Sequence, residues 1–249
     1  MHDALYFRLG GPFTPRVVPI NLPAPPALRG LRCLFVTDIH MGCTHSPFPR
    51  IERLFALLRS LNPDLVLWGG DYAEPGWHDH FFTFLPNLSP PLGMFGVVGN
   101  NDLHANFSRA PSLSLLCNQS ASLPGLCILG LDDPRIGNPD LSLLLNMPKN
   151  AFRIVLAHSP LAFRSLPQDD PAPWPDLILT GHTHGGQCTI FGLNPYAFGY
   201  ENARHAPNFF LTGLHSIHHS RFLVSNGIGT SLLPVRLGAP PQVHLITFI

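Results

Sequence analysis

The sequence predicts an α/β fold formed by a single domain. Five short apolar runs, rich in branched side chains, are each followed by Gly, Asp or His, which is typical of buried strands. Segments with helical spacing of apolar residues alternate with several of these runs, as in α/β proteins. The chain has 249 residues, which is long enough for a sizeable core, and no linker-like segment divides it. We therefore expect one domain over residues 1–249, with residues 1–30 as an extended lead-in.

The predicted elements follow one another in chain order. The lead-in is expected to hold one edge strand, near residues 16–20. The five buried strands are expected at residues 31–37, 64–68, 94–98, 152–157 and 176–180. A helix is predicted from the apolar stripe that starts at Ile51 and ends before Asn62-Pro63, and two further helices are predicted at residues 78–85 and 140–146. After residue 184, short strands at residues 187–191, 209–212, 222–226 and 243–248 predict a second, mostly antiparallel sheet.

Composition excludes two classes of protein. Charged residues make up 12% of the chain and the formal net charge is zero, whereas a nucleic-acid binder carries a basic excess. No apolar run approaches the roughly 18 residues that a transmembrane helix needs, and the N-terminus lacks the pattern of a signal peptide. We expect no nucleic-acid partner, no transmembrane segment and a cytoplasmic location.

Two further features of the composition bear on location. The five cysteines form an odd set without a C-x-x-C pair, which argues against a disulfide framework or a zinc ribbon and fits reduced thiols in the cytoplasm. The mean hydropathy is +0.16. Either the 28 prolines account for this value, or part of the surface meets lipid or a lipid-like substrate, with peripheral contact at the inner membrane.

Polar motifs follow each of the five buried strands. They are Asp38-Ile39-His40, Gly70-Asp71, Gly99-Asn100-Asn101-Asp102, His158 and Gly181-His182-Thr183-His184. Because ligands of open α/β sheets gather at the carboxyl ends of strands, we expect these tips to converge at one edge of a sheet. The candidate metal ligands are Asp38, His40, Asp71, Asn100, His158, His182 and His184.

This donor set predicts a centre of two divalent metal ions. Carboxylate, amide oxygen and imidazole together suit a first-row metal better than calcium. Asp71 lies in the middle of the motif order and is the candidate bridge, since one carboxylate can offer an oxygen to each ion. Two ions about 3.5–4 Å apart clamp a phosphoryl group and lower the pKa of water toward about 7.

The ordered motifs resemble those of the calcineurin-like metallophosphoesterases. The strings Gly181-His182-Thr183-His184-Gly185-Gly186-Gln187 and Pro234-Val235-Arg236-Leu237-Gly238 are similar to those of a narrower branch, with YaeI-type and YkuE-type phosphodiesterases and the chlamydial-type UDP-2,3-diacylglucosamine pyrophosphatase. The resemblance implies a four-layer αββα sandwich with two mixed β-sheets. It implies hydrolysis of phosphodiester or pyrophosphate bonds, such as those of a nucleotide-sugar lipid. Manganese is the expected ion, with iron, zinc or magnesium as alternatives.

The resemblance also implies which residues bind each of the two ions. The first ion would be held by Asp38, His40, Asp71 and His184. The second ion would be held by Asp71, Asn100, His158 and His182. A non-catalytic scaffold on the same fold and a general or cyclic-nucleotide phosphodiesterase remain the alternative functions.

One position departs from the family pattern. Asn101 stands where the family usually has a histidine that contacts phosphate and protonates the leaving group. Asparagine donates a hydrogen bond but delivers no proton at neutral pH, and a general acid typically contributes about 10²–10⁴-fold. We therefore expect substrates with good leaving groups. His104 and His45 lie near in sequence and are candidate substitutes for the acid, or are solvated loop histidines.

Three other features carry open alternatives. The histidines His215, His218 and His219 form either a third metal site or a solvated loop, and the missing carboxylate favours the loop. Aromatic residues between 191 and 210 either pack in the core or line an acyl groove. Arg236 either binds phosphate or forms a structural ion pair.

Overall fold

The described residues form fourteen strands and two α-helices. The computed structural model describes residues 7–9, 14–43, 47–167, 169–188, 210–231 and 234–249. The strands are β1 (Phe7–Leu9), β2 (Arg16–Leu22), β3 (Arg32–Val36), β4 (Leu65–Trp68), β5 (Met94–Gly96), β6 (Leu113–Leu115), β7 (Gln119–Leu123), β8 (Leu126–Gly130), β9 (Phe152–Leu156), β10 (Leu177–Thr180), β11 (Gly213–Ile217), β12 (Ser220–Val224), β13 (Val235–Leu237) and β14 (Gln242–Phe248). The α-helices are α1 (Pro47–Ser60) and α2 (His78–Phe82).

Twelve of the strands form two mixed six-stranded sheets. The first sheet has the order β2-β14-β3-β4-β5-β6, and the second has the order β11-β12-β10-β9-β8-β7. Strands β3 to β6 run parallel, and β14 is antiparallel to β3 but parallel to β2. In the second sheet β8, β9, β10 and β12 are parallel, with antiparallel strands at both edges. The expectation of two mixed sheets is confirmed.

Three apolar cores separate four layers. Between the sheets, Phe35 and Leu67 of the first pack in one core with Ile154 and Leu179 of the second. The outer face of the first sheet is covered by α1 and α2, whose apolar stripes share a core with it. The outer face of the second sheet packs against two 3-10 helices, Leu141–Asn146 and Pro160–Phe163. The sandwich is confirmed, with 3-10 helices as its fourth layer among the described residues.

Several predicted helices differ in length or type. The helix expected at residues 78–85 ends at Phe82, and Pro86 lies in a separate 3-10 helix, Leu85–Asn87. The helix expected at residues 140–146 is a 3-10 helix that starts after Asp140, whose carboxylate accepts from the backbone N–H of Ser142. Both segments are short, and nucleating an α-helix is unfavourable when few residues follow to propagate it.

The expected grouping of the C-terminal strands is wrong. A second, mostly antiparallel sheet was predicted after residue 184, yet β12 pairs parallel to β10 and β14 lies in the first sheet. The strand expected at residues 209–212 is found at Gly213–Ile217. Residues 189–191 of the strand expected at 187–191 lie outside the described residues. Strands β1, β6, β7, β8 and β13 were not predicted. Among the described residues, every helix is too short or too polar to cross a bilayer.

Candidate metal centre

The tips of strands from both sheets meet at one junction. Within the first sheet, the N–H of Asp38 donates to the carbonyl of Gly70 at 3.0 Å, which joins the ends of β3 and β4. Within the second sheet, the N–H of Gly181 donates to the carbonyl of His158 at 2.9 Å. The backbone N–H of His182 donates to both carboxylate oxygens of Asp38 at 3.0 Å, linking the two sheets. Convergence at one edge of a single sheet was expected, and the structure instead has two sheets meeting.

Five of the candidate ligands have left-handed backbone. The φ angles are 52° for Asp38, 47° for His40, 53° for Asp71, 69° for His182 and 52° for His184. Residues with a Cβ rarely adopt this region, and each such residue costs about 1–3 kcal/mol. The packed strands impose these conformations, which turn the side chains at the strand ends into the junction.

Glycines next to the ligands allow the loops to approach closely. A Cβ built on Gly99 would meet the Asp71 carboxylate and its backbone nitrogen, and a Cβ built on Gly181 would meet the carboxylate of Asp38. Neither glycine has a positive φ angle, so glycine is not needed there for backbone conformation. It is needed because a side chain would clash with the carboxylates. Close packing against Asp71 and Asp38 therefore explains the glycine that precedes Asn100 and the glycine that precedes His182.

The first buried cluster contains Asp38, His40 and His184. Their candidate ligand atoms lie within 4.8 Å of one another. The Nε2 atoms of His40 and His184 are 3.1 Å apart, and His184 Nε2 lies 3.7 Å from an oxygen of Asp38. All three residues are buried. These are three of the four residues expected at the first ion.

The second buried cluster contains Asp71, His158 and His182. Its ligand atoms also lie within 4.8 Å of one another. The His182 Nδ1 and His158 Nε2 atoms are 3.0 Å apart, and His158 Nε2 lies 3.4 Å from Asp71 Oδ2. The same Asp71 oxygen lies 3.3 Å from His40 Nε2 in the first cluster. One carboxylate oxygen thus faces both clusters, as the bridging assignment requires.

The donor set fits divalent cations. The side-chain oxygen of Asn100 is buried and accepts no hydrogen bond from any described residue, which is costly for a polar atom unless a cation takes that place. Burial opposes charge on His158, yet Asp71 raises the pKa of His158 to about 10. Burial also opposes charge on His40, whose pKa is nevertheless held well above its usual value by Asp71 and Glu74. Asp71 therefore favours positive charge on His40 and His158, whereas burial holds the pKa values of His182 and His184 well below their usual range.

A family comparison decides the identity. The family profile described as calcineurin-like phosphoesterase matches residues 31–186, more than half of the chain. The chain belongs to the calcineurin-like phosphoesterase family. It is therefore a phosphoesterase. The family uses a dinuclear metal site, and the described residues form two buried clusters that could each hold a metal ion.

Relatives of this metallophosphoesterase extend along nearly the whole chain. The phosphodiesterase YaeI of Escherichia coli (strain K12) is 28% identical over 236 residues, covering 88% of this chain and 82% of YaeI. The metallophosphoesterase YkuE of Bacillus subtilis (strain 168) is 28% identical over 244 residues, covering 90% and 80%. A metallophosphoesterase of Aquifex aeolicus (strain VF5) is 26% identical over 234 residues, covering 87% and 84%. The expected resemblance to the YaeI- and YkuE-type branch is confirmed.

Asn101 lies directly against the candidate bridge of the metallophosphoesterase. Its backbone N–H donates to Asp71 Oδ1 at 2.9 Å and its side-chain amide donates to Asp71 Oδ2 at 2.8 Å. His104, by contrast, is exposed and makes no hydrogen bond to the ligands within the described part of the chain. His45 lies outside the described residues. The structure therefore brings Asn101 to the centre and leaves His104 outside it.

Two buried residues support the centre in ways that the sequence did not predict: Asp102 was given no role, and Arg236 was expected to bind phosphate or to form an ion pair. The Asp102 carboxylate accepts from the backbone N–H groups of Asp71 at 2.7 Å and Gly99 at 2.8 Å, which ties the two glycine motifs together. Arg236 is fully buried and donates to the carbonyls of Gly229 and Ala239. Its guanidinium also lies 3.2 Å from His184 Nδ1. Arg236 thus holds a ligand histidine in place and is enclosed by protein. The sequence signal for it was the Pro234–Gly238 string alone.

The other candidate groups lie apart from the metal ligands. His215 stacks on Phe210 with ring centroids 3.8 Å apart, and His219 contacts the carbonyl of Trp174 at 3.0 Å. His218 packs beside the Trp174 ring. Among the described residues, these histidines form no cluster suited to a metal. The aromatic residues Tyr196, Phe198, Tyr200 and Phe209 lie outside the described residues.

Proposed function

We propose that this metallophosphoesterase hydrolyses phosphodiester or pyrophosphate bonds with two divalent ions, of which manganese is the expected one. The pair of buried clusters that face one oxygen of Asp71 carries the proposal. The ions would be held by Asp38, His40, Asp71, Asn100, His158, His182 and His184. Two bound ions clamp a phosphoryl group and acidify water, so that no side-chain base is needed.

The chain's own residues restrict the leaving group. Asn101 lies against Asp71, and its side-chain amide nitrogen, which donates one N–H to Asp71, carries a second N–H that suits a phosphoryl oxygen. It has no proton to deliver at neutral pH, and His104 is an exposed side chain. Substrates that release an already stable anion suffer least from the absence of a general acid. We infer that such anions, including a nucleotide phosphate, are the leaving groups.

A nucleotide-sugar lipid of the UDP-2,3-diacylglucosamine type meets this requirement. Cleavage within its pyrophosphate releases a nucleotide phosphate, and its acyl chains suit a chain with 12% charged residues and a mean hydropathy of +0.16. A small phosphodiester is the second candidate, favoured by the similarity to a relative named phosphodiesterase YaeI.

One assay series tests these proposals. Purified protein with Mn²⁺ is expected to cleave bis(p-nitrophenyl) phosphate, and activity should disappear with EDTA and return with Mn²⁺. Incubation with UDP-2,3-diacylglucosamine, followed by product masses, shows whether the pyrophosphate bond breaks. Cleavage of the diester alone favours the second candidate. Failure to hydrolyse any phosphoester with any first-row metal would leave a non-catalytic scaffold and reject the proposal.

A further inference from the structure

Glu74 lies against the outer nitrogen of a candidate metal ligand. Its Oε1 is 2.6 Å from His40 Nδ1. An ionised carboxylate has no proton to donate, so the His40 Nδ1–H is the donor. Nε2 on the other side of the ring faces the cluster, 3.1 Å from His184 Nε2 and 3.3 Å from Asp71 Oδ2. The ring of His40 is therefore held with its second nitrogen directed at the ligands.

Backbone pairing fixes the position of Glu74. The segment after β3 runs beside the segment after β4, where Met41 and Ala73 form an isolated parallel bridge. The N–H of Met41 donates to the carbonyl of Tyr72 at 3.2 Å, and the N–H of Glu74 donates to the carbonyl of Met41 at 2.9 Å. With Met41 opposite Ala73, His40 lies opposite Tyr72, and Glu74 lies two positions further along the paired segments, within reach of the His40 ring. This contact depends on register and has no signature in sequence spacing.

Two of the other three candidate histidines have outer partners of a different kind. His158 Nδ1 donates to the backbone carbonyl of Gly69 at 2.8 Å, which is a neutral acceptor. His184 Nδ1 faces the guanidinium of Arg236. A carboxylate behind a ligating histidine makes the ring a stronger donor to a metal and fixes its orientation. The charge of Glu74 therefore acts on the first cluster, through His40.

We propose that Glu74 is a positioning residue that strengthens the first metal site through His40, and so makes the affinities of the two sites unequal. The inference depends on the proposed two-ion function. The Glu74 side chain is 30% exposed, so its replacement leaves no fully buried gap. The folded, metal-free protein should therefore tolerate substitution there.

Metal binding without turnover tests the proposal. Metal-free wild type, Glu74→Ala and Glu74→Gln are titrated with Mn²⁺ by equilibrium dialysis and elemental analysis. In Glu74→Ala we expect one of the two ions to bind about 10–100-fold more weakly while the other keeps its affinity. Glu74→Gln keeps an acceptor oxygen without the charge and should give a smaller loss. Electron paramagnetic resonance should show isolated Mn²⁺ over a wider range of metal concentration in Glu74→Ala than in wild type.

Controls separate the inference from the proposed function. Glu52→Ala removes an exposed glutamate on α1 and should bind both ions as wild type does. Equal melting temperatures of the metal-free variants exclude a folding defect. If wild type binds no ion, the proposed function fails. If wild type binds two ions and Glu74→Ala binds both with unchanged affinity, or loses both equally, the role of Glu74 is overturned.

Discussion

At the scale of single residues, Asn101 and Asp71 form one unit. Two N–H groups of Asn101 donate to the two oxygens of the carboxylate that faces both clusters. The position was recognisable from sequence because the surrounding Gly99-Asn100-x-Asp102 motif is intact. The hydrogen bonds between Asn101 and Asp71 could not be predicted from the sequence, since they depend on how the β4 and β5 tips approach one another. The departure from the family pattern therefore lies directly against the candidate bridging carboxylate.

Replacing Asn101 by histidine should change the dependence of rate on the leaving group. Without a proton donor, wild type should cleave nitrophenyl diesters and pyrophosphates well and alkyl phosphate esters poorly. Asn101→His should raise rates on the alkyl esters by about 10-fold or more, out of the roughly 10²–10⁴-fold that a positioned acid supplies. Nitrophenyl diesters should change little. Rates for a series of esters of graded leaving-group pKa measure the effect.

A loss of rate across the whole ester series would contradict this account of Asn101. It would mean that the Asn101 side chain suits the natural substrate of this protein better than histidine does, or that another residue already protonates the leaving group. The double variant Asn101→His with His104→Ala separates these outcomes, because an acid at His104 would make the double variant slower on alkyl esters alone.

Replacing Asp71 should remove both ions together. Its Oδ2 lies 3.3 Å from His40 Nε2 and 3.4 Å from His158 Nε2, so both clusters lose the same oxygen in Asp71→Ala. Elemental analysis after dialysis is expected to find two ions in wild type and none in the variant. Asp79→Ala, which removes an exposed carboxylate paired with Arg109, is the control. Retention of one ion by Asp71→Ala would refute the bridging assignment.

At the scale of secondary-structure elements, the positions of five buried strands were predicted correctly from the sequence. Strands β3, β4, β5, β9 and β10 lie within the predicted ranges because apolar runs followed by Gly, Asp or His mark their ends. Strand β7 was missed because its sequence, QSASL, has little apolar character and is largely exposed. The location of β14 in the first sheet depends on long-range pairing with β3, which periodicity does not encode.

The close approach of the β4 and β5 tips gives a prediction at this scale. In Gly99→Ala the new methyl group would meet Asp71, and overpacking of this kind costs about 1–3 kcal/mol. A displacement of about 1 Å in a catalytic group lowers rates by about 10²-fold. We expect Gly99→Ala to lose about 10²-fold in diesterase activity and to bind Mn²⁺ more weakly.

A second glycine serves as the matched control for Gly99→Ala. Gly76 has φ of +85° and no atom within 4 Å of an added Cβ. Gly76→Ala should therefore cost stability through backbone strain, of about 1 kcal/mol, while activity at saturating metal stays near wild type. Similar activity losses in both variants would mean that contact with Asp71 does not explain the loss in Gly99→Ala.

At the scale of the whole molecule, the site is the junction of two sheets. The candidate ligands were recognisable from the sequence because each follows a strand and because the ordered set of motifs is intact. The supports Glu74, Asp102 and Arg236 act across 34, 31 and 52 positions of sequence, on His40, Asp71 and His184. Their roles follow from register and burial, which single-sequence patterns do not specify.

The packing of β14 makes the stability of the whole molecule dependent on pH. His244 is buried between β2 and β3, its Nε2 lies 3.0 Å from Ser225 Oγ, and its Nδ1 has no hydrogen-bond partner among the described residues. Burial lowers the pKa of His244 to about 3. A second ring proton would have no acceptor, so the folded protein keeps this ring neutral where an unfolded chain takes up the proton.

Because the pKa of His244 is lower in the folded state than in the unfolded state, the free energy of unfolding decreases as the pH falls. Its stabilising effect is complete above the unfolded pKa of about 6.5 and is lost as pH falls toward 3, at up to about 1.4 kcal/mol per pH unit. The variant His244→Gln has no ionisable group at this position and keeps an N–H that can donate to Ser225 Oγ. Urea unfolding of both metal-free proteins at pH 7.5, 6.0 and 5.0 should therefore show the wild type losing about 1–2 kcal/mol more than the variant at pH 5.0. Parallel pH profiles for the two proteins would mean that His244 is protonated in the folded state, in conflict with its enclosure between β2 and β3.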